Sequence, residues 1–305
     1  MRLVTWVTPS GATRPGAVVE SGRDHPAGGG QDLLCDLGDV AGGVVQILAD
    51  RQARQRAEQA VAAADPATLP TLDEVALAAP VTPGTILCLG YNYAGHVAAG
   101  ADPNEVPPAP NVFVKTPNTL SGPRDEVLLP VVSAHTDYEG EIALVIGRRA
   151  RHVSLAEAGE HIGGYTLMND VSSRDWQDRS SQWTLGKCFD GFAPLGPWIT
   201  TADAVPNPHD LLVEVVRDGV VTVSQSTATT VFSMEYLVHY LSQVLTLEPG
   251  DVISTGTPQK LPSAQTDHRP LAPGDAVTIR VGGLGELTTR FIGTDGTDKQ
   301  EEGKP

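Results

Sequence analysis

Hydrophobic positions fall mostly into short runs bounded by Gly and Pro, a texture that predicts many strands and few helices. In the first 79 residues, strand-like pieces at Arg2 to Val7 and Ala17 to Glu20 surround Gly-rich turns, including Gly28 to Gly30. The Ala-, Gln- and Arg-rich stretch from Val44 to Ala64 contains neither Pro nor Gly and predicts a helix that ends at Asp65-Pro66. Pro70, Pro80 and Pro83 then lead into Thr85 to Leu89, a buried-strand pattern closed by Gly90. A boundary is expected near Pro80, dividing the chain into a small N-terminal domain (1–79), a catalytic domain (80–293) and a flexible tail (294–305).

Beyond the boundary, Leu211 to Arg217 and Val220 to Ser224 flank Asp218-Gly219, a strong two-residue hairpin signal. Ser154-x-x-Glu157 predicts a capped short helix stopping at Gly163-Gly164, and Gly164 to Met168 reads as a strand. Met234, Leu237, Val238, Leu241, Val244 and Leu245 fall at helical spacing, so one amphipathic helix is expected to pack on the sheets. Leu247-x-Pro249-Gly250-Asp251 recurs as Leu271-x-Pro273-Gly274-Asp275, each copy ahead of a strand-like run, which is turn chemistry rather than a structural repeat. The fold class is therefore α+β, mainly β.

The 305 residues suffice for a large core, and 37 acidic against 21 basic residues give a net charge of −16. That balance argues against nucleic acid or an anionic membrane as partner, since both require a basic footprint. No apolar run approaches a membrane span or a signal-peptide core, so the cytoplasm is the expected compartment. Cys35, Cys88 and Cys188 are odd in number and far apart, which points to reduced thiols rather than a disulfide framework.

The most informative stretch is Asp137-Tyr138-Glu139-Gly140-Glu141, followed by the apolar run Ile142 to Ile146. Strand alternation sends Glu139 and Glu141 to one face with Ala143 and Val145, and Ile142, Leu144 and Ile146 to the other. An isolated E-x-E is most simply an edge strand with two solvated glutamates, but the unbroken apolar run favours a buried strand. There the two carboxylates repel unless a cation lies between them. Asp170 ends the next strand and supplies a third carboxylate. Three carboxylates without His or Cys suit a hard cation such as Mg²⁺. Arg174 and Gln177, one helical turn apart, offer donors for a substrate carboxylate, although Arg174 taken alone reads as a surface ion-pair partner.

Several motifs occur in order: Gly90-Tyr91-Asn92-Tyr93 with His96, Phe113-x-Lys115, Asp137-Tyr138-Glu139-x-Glu141, Asn169-Asp170-Val171-Ser172-x-Arg174-Asp175, Lys187 with Phe189-Asp190, Pro194 to Trp198, and Thr255-Gly256-Thr257-Pro258. Together they resemble the fumarylacetoacetate hydrolase family over about Thr85 to Gly293. The resemblance implies a mixed β-roll catalytic domain, a homodimer, and one Mg²⁺ (or Mn²⁺) held by Glu139, Glu141 and Asp170. It implies that Lys187 stabilises enolate charge, that Arg174, Gln177 and Thr257 contact the substrate, and that His96 orients or activates water. The substrate class implied is a small 2-oxo or diketo acid. The implied reaction is C–C hydrolysis of an acylpyruvate or fumarylpyruvate, with decarboxylation, isomerisation or non-catalytic keto-acid binding as alternatives.

Many members place a glutamate three residues after the histidine, where this chain has Ala99, so Asp102, Glu105 or Asp267 is the expected substitute. The lid expected over the substrate runs from Ala94 to Pro110. Asp190 is the expected counter-ion of Lys187. Lys115 and Tyr138 read equally well as pocket residues or as a snorkelling lysine and a core tyrosine. His25, His135, His152, His161, His209, His239 and His268 lack ligand spacing and read as surface or capping residues.

Overall fold

A computed structural model describes residues 1–20, 31–97, 102, 104, 106–266 and 268–293. Glycines 28–30, Ala99, Glu105, Asp267 and the tail 294–305 lie outside the described residues, as do His25 and part of the expected lid. The chain forms a mixed, mainly β architecture. In the large sheet the strands run in the order Asp32–Asp36, Thr13–Glu20, Arg2–Val7, Ala193–Thr201, Ile162–Asn169, Gly140–Ile146, Val252–Ser254, Ile86–Gly90 and Asn111–Lys115. A second, five-stranded sheet has the order Val220–Ser226, Leu212–Arg217, Ala276–Val281, Gly285–Ile292 and Glu126–Leu128. The strands of residues 1–79 extend the large sheet, Arg2 pairing with Thr200 and Leu3 with Ile199.

The strand Gly140–Ile146 is buried along its whole length, and both of its faces are covered. Ile142, Leu144 and Ile146 pack in the core formed with Val213, Val215 and Ile279 of the second sheet and Leu237 of the helix Met234–Val244. Ala143 and Val145 pack on the opposite side with Ile47, Cys88, Met168 and Ile199. Side chains of this size contribute about 1.5–3 kcal/mol each when fully buried, so the strand's register is strongly specified. Gly140 is required where it stands: a Cβ there would lie 2.5 Å from Val215 Cγ2. The lack of a side chain lets this strand press on the second sheet while the glutamates on either side keep their positions.

Three local expectations need correction. The stretch 44–64 is two helices, Val44–Ala49 and Arg51–Ala63, because Asp50 is extended between them and its side chain accepts from Gln52 N–H to cap the second. The Ser154-x-x-Glu157 signal does not open an α-helix. Ser154 Oγ bonds the Glu157 carboxylate at 2.6 Å, and only a 3₁₀ turn, Ala158–His161, follows. Gly163 and Gly164 lie within the strand Ile162–Asn169, because a Cβ on Gly163 would meet Gly147 Cα at 2.8 Å and one on Gly164 would meet the Thr200 carbonyl at 2.6 Å. The hairpin at Asp218-Gly219 forms with both residues at positive φ. Gly250 and Gly274 of the recurring turns also have positive φ. Among the described residues, no helix is long and apolar enough to cross a membrane.

Candidate active site

The strand Gly140–Ile146 begins where Ile162–Asn169 ends, and this antiparallel pairing brings the carboxylates together. Gly140 faces Asn169, and Asp170 N–H donates to the Glu139 carbonyl at 2.8 Å. Ligand oxygens of Glu139, Glu141 and Asp170 consequently all lie within 4.8 Å of one another. Glu141 and Asp170 are buried and Glu139 is half-buried. Among the described residues, both hydrogen bonds to Glu141 fall on Oε2, from Ser254 Oγ at 2.5 Å and Gly256 N–H at 2.9 Å, leaving Oε1 for a ligand. Three oxygen donors without His or Cys, one of them with an uncommitted oxygen, fit a divalent cation.

Cations supplied by the chain hold the acids. Lys187 Nζ reaches Glu139 Oε2 at 2.5 Å and Asp170 Oδ2 at 2.7 Å. Lys115 Nζ donates to Asp170 Oδ1 at 2.6 Å and to the Val171 carbonyl at 3.0 Å. Arg174 bridges Asp137 and Glu139, its Nη2 lying 2.9 Å and 2.7 Å from their carboxylate oxygens, and its Nη1 meets Gln177 Oε1 at 3.0 Å. Lys260 Nζ lies 2.5 Å from Asp137 Oδ1. Burial disfavours a charged Glu139, yet Arg174 and Lys187 overcome it and hold that carboxyl well below the usual range. Glu141 is pushed well above it by burial first, then by the neighbouring charges of Asp170 and Glu139. Desolvation also opposes the Lys187 ammonium, but Asp170 and Glu139 outweigh it and raise its pKa.

Thr257 and His96 close the opposite wall. Thr257 follows Gly256 at positive φ, and its hydroxyl donates to the Gly140 carbonyl at 3.0 Å. His96 Nδ1 lies 2.8 Å from the Thr257 carbonyl, and its ring meets Tyr91 edge-on at 5.7 Å. Since a carbonyl only accepts, Nδ1 carries the proton and Nε2 is the basic nitrogen. Asn92 holds this end in place, accepting from Phe232 N–H at 2.9 Å and donating to the Thr255 carbonyl at 2.9 Å. Two cavities meet at His96, Val97, Glu139, Arg174 and Thr257: one of about 220 Å³ that includes Lys187, Gln177 and Trp183, and one of about 370 Å³ that includes Lys260.

A family pattern described as the fumarylacetoacetate hydrolase C-terminal domain matches residues 85–292. The chain belongs to the fumarylacetoacetate hydrolase family. Relatives in this family differ in reaction. The mitochondrial oxaloacetate tautomerase of Homo sapiens is 41% identical over 234 residues, spanning 74% of this chain and 73% of its own. The structure of a 5-carboxymethyl-2-hydroxymuconate delta-isomerase from Mycobacterium smegmatis superposes with a TM-score of 0.74 at 31% identity, covering 96% of this chain and 99% of that one. A maleylpyruvate hydrolase from Sphingobium sp. SYK-6, crystallised with manganese(II) and pyruvate, gives a TM-score of 0.76 at 27% identity over 96% of this chain and 99% of that one. This fumarylacetoacetate hydrolase family member is thus a metal-dependent enzyme of a family that hydrolyses, isomerises and tautomerises.

All eight residues singled out from the sequence, His96, Glu139, Glu141, Asp170, Arg174, Gln177, Lys187 and Thr257, line these two cavities or belong to the acidic cluster beside them. Asp190 does not pair with Lys187. It accepts from Asn118 Nδ2 at 2.6 Å, while the lysine turns inward to Glu139 and Asp170. Asp102 accepts from Asn104 instead of meeting His96. Lys115 is buried on Asp170 rather than snorkelling, His161 is buried on the Arg148 carbonyl, and His268 lines the larger cavity. Ser254, Asp137 and Lys260 were not foreseen. Asp137 opens a quoted motif, and Lys260 follows Thr257-Pro258 closely, but their pairing spans 123 positions and no local pattern announces it.

Proposed function

We propose that this enzyme hydrolyses a C–C bond of a 2,4-diketo acid of the acylpyruvate or fumarylpyruvate type, using Mg²⁺ or Mn²⁺ held by Glu139, Glu141 and Asp170. The observation that carries this reading is the 2.8 Å contact of His96 Nδ1 with the Thr257 carbonyl, which calls for an N–H on Nδ1 and leaves Nε2 as the candidate base at the cavity wall. The bound cation supplies Lewis-acid polarisation of the 2-oxo acid end. His96 takes a proton from water as its oxygen adds to the distal carbonyl, and the bond between that carbon and C3 breaks. Lys187, already charged and buried, faces the enolate charge that develops on the pyruvate half. Arg174 and Gln177 form a preassembled donor pair that orients the substrate, with Thr257 on the opposite side. Protonation of C3 yields pyruvate and the acid released from the distal acyl group.

A second reading, keto-enol tautomerisation, is favoured by the identity with the human oxaloacetate tautomerase and by the lack, among the described residues, of a carboxylate on His96. A panel of acetylpyruvate, fumarylpyruvate and oxaloacetate, assayed with Mg²⁺ and with EDTA, separates the two. Release of pyruvate from a diketo acid supports hydrolysis. Metal-dependent interconversion of oxaloacetate enol and ketone without pyruvate release refutes it. The reading also places the protein in the cytoplasm as a homodimer, with residues 1–79 as an accessory domain, in keeping with three unpaired cysteines.

A further inference from the structure

Lys187, Phe113, Trp183, Tyr91 and His96 all line the smaller cavity and form one unbroken chain of contacts, of which only the two ends have a chemical role in the proposed reaction. Lys187 Nζ lies 4.7 Å from the centre of the Phe113 ring. Phe113 meets Trp183 at 5.4 Å, Trp183 meets Tyr91 at 5.6 Å and Tyr91 meets His96 at 5.7 Å, all edge to face, with interplanar angles of 71°, 81° and 85°. Such pairs are directional, so each ring constrains the next. The backbone ties the chain back to its start: Lys187 N–H donates to the Trp183 carbonyl at 3.2 Å, which places both residues on one helical turn.

Tyr91 is the strained link. Its φ is 57°, a left-handed conformation that a bulky residue seldom adopts and keeps only where its surroundings over-determine it. Trp183 supplies that constraint from one side and His96 from the other. The indole also lies directly on the residue before Tyr91, since a Cβ on Gly90 would fall 2.6 Å from Trp183 Cζ3. A relaxed backbone would carry the Tyr91 ring away from both partners. His96 in turn needs a second hold: the Thr257 carbonyl fixes one ring atom, about which the imidazole can still pivot, and among the described residues no carboxylate meets it.

We propose that Trp183 and Tyr91 are positioning residues for His96, wedging its imidazole at a set place relative to Lys187 so that the base and the ammonium act on one substrate. This rests on the reading of His96 as the base of C–C hydrolysis. Trp183, Tyr91 and the Thr257 carbonyl then do for the histidine what a carboxylate partner does elsewhere: they fix the orientation of the ring.

The test combines steady-state hydrolysis of acetylpyruvate and fumarylpyruvate with Mg²⁺, calorimetric titration of oxalate into the Mn²⁺-loaded protein, and the imidazole C–H resonances of His96 in the metal-free protein, assigned with His96→Gln. Trp183→Leu is expected to lower kcat by about a hundredfold, the cost of a misplacement of about 1 Å, while KM and oxalate affinity stay within a fewfold of wild type. It is also expected to move the His96 resonances, which the Tyr91 ring current shifts. Tyr91→Leu should behave in the same way, and it carries the test if Trp183→Leu does not fold. Trp183→Phe and Tyr91→Phe keep an aromatic edge and should recover most of the rate and of the shift. Unmoved His96 resonances in Trp183→Leu and Tyr91→Leu overturn the proposal. So does a raised KM with kcat kept, which assigns Trp183 to ligand contact, or a matching loss of oxalate affinity, which assigns it to the build of the whole site. A loss in Tyr91→Phe equal to that in Tyr91→Leu gives the role to the phenol hydroxyl and overturns it as well. If wild type releases no pyruvate from either diketo acid, or His96→Gln releases it as fast as wild type, the reading of His96 as the base fails and the proposal with it; the other outcomes overturn the positioning alone.

Discussion

Replacing Lys187 with methionine separates two effects that oppose each other. The lysine side chain is 3% exposed and its ammonium bridges Glu139 and Asp170, so removing it strips a cation from two buried carboxylates at once. Breaking a buried pair from one side costs about 3–5 kcal/mol. The lower end applies here, because Arg174 still holds Glu139 and Lys115 still holds Asp170. About 3 kcal/mol corresponds to a fall of roughly 5–10 °C in the melting midpoint of the metal-free protein. The same change removes a positive charge from the edge of the cation site. A unit charge 4 Å away is worth about 4 kcal/mol at an effective dielectric constant of 20, so a gain of tenfold or more in Mn²⁺ affinity is a conservative expectation.

At a fixed, saturating Mn²⁺ concentration, a tenfold tighter site adds about 1.4 kcal/mol of stability to the variant over what wild type gains. Urea unfolding of both proteins in EDTA and in Mn²⁺ measures this directly. The variant should be less stable in both, with a gap clearly narrower in Mn²⁺, while turnover is lost because no ammonium faces the developing enolate. An equal or wider gap in Mn²⁺ would refute the placement of Lys187 beside the cation. Borohydride trapping with pyruvate adds an independent check, since a covalent adduct on Lys187 contradicts a purely electrostatic role.

Glu141→Gln should weaken Mn²⁺ binding by a hundredfold or more by calorimetry, and Ser254→Ala, which removes the 2.5 Å donor to Oε2, by about tenfold. His96→Gln should lower C–C hydrolysis by about 10²- to 10⁴-fold while leaving oxalate affinity within a fewfold of wild type; a matched loss of oxalate binding would show that the histidine positions ligand instead. Burial opposes a charged Asp275, but hydrogen bonds from Arg269, the Ala272 amide and Arg217 bring its pKa down to about 2. The folded value lies below the unfolded one, so the contribution is full above about pH 4 and fades as pH falls toward 2. Asp275→Asn should therefore cost about 2 kcal/mol at pH 7 in urea unfolding, and the difference should shrink over that acid range.

Where a residue's role depends on near neighbours, the fold was legible. The run Ile142 to Ile146 alternates between two cores as strand periodicity requires, and Met234, Leu237, Val238 and Leu241 pack on the core of Ile142, although Val244, expected on the same helix face, is 74% exposed at the helix end. The errors arose where a distant backbone decides. Gly163 and Gly164 read as a helix stop, because glycine is a terminator in most local contexts, yet each is needed for close approach of a neighbouring strand. Ser154 and Glu157 have capping-box spacing, but they bond each other and the chain turns into a strand. The division of the stretch 44–64 at Asp50 was visible in principle, since Asp is a strong N-cap, but the surrounding helix formers concealed it.

For the site, acids were easier to find than their counter-cations. Glu139 and Glu141 are anomalous in an apolar strand and declare themselves, whereas Lys115 and Lys260 find their carboxylates 55 and 123 positions away, and a lone lysine has no local pattern. Proximity in sequence points Lys187 to Asp190, but the helical turn Thr184–Lys187 aims the side chain inward, where Asp170 lies. The bases that surround these acids bear on how the cation works. A carboxylate cluster held only by its metal is a folding switch, because the empty site is too repulsive to close. Here Lys115, Arg174, Lys187 and Lys260 already compensate Asp137, Glu139 and Asp170, and Glu141 is held by the Ser254 hydroxyl and the Gly256 amide, so the metal-free chain keeps its site assembled. A cation bound there would contribute charge more than fold, and under the proposed function that charge would draw an anionic substrate in.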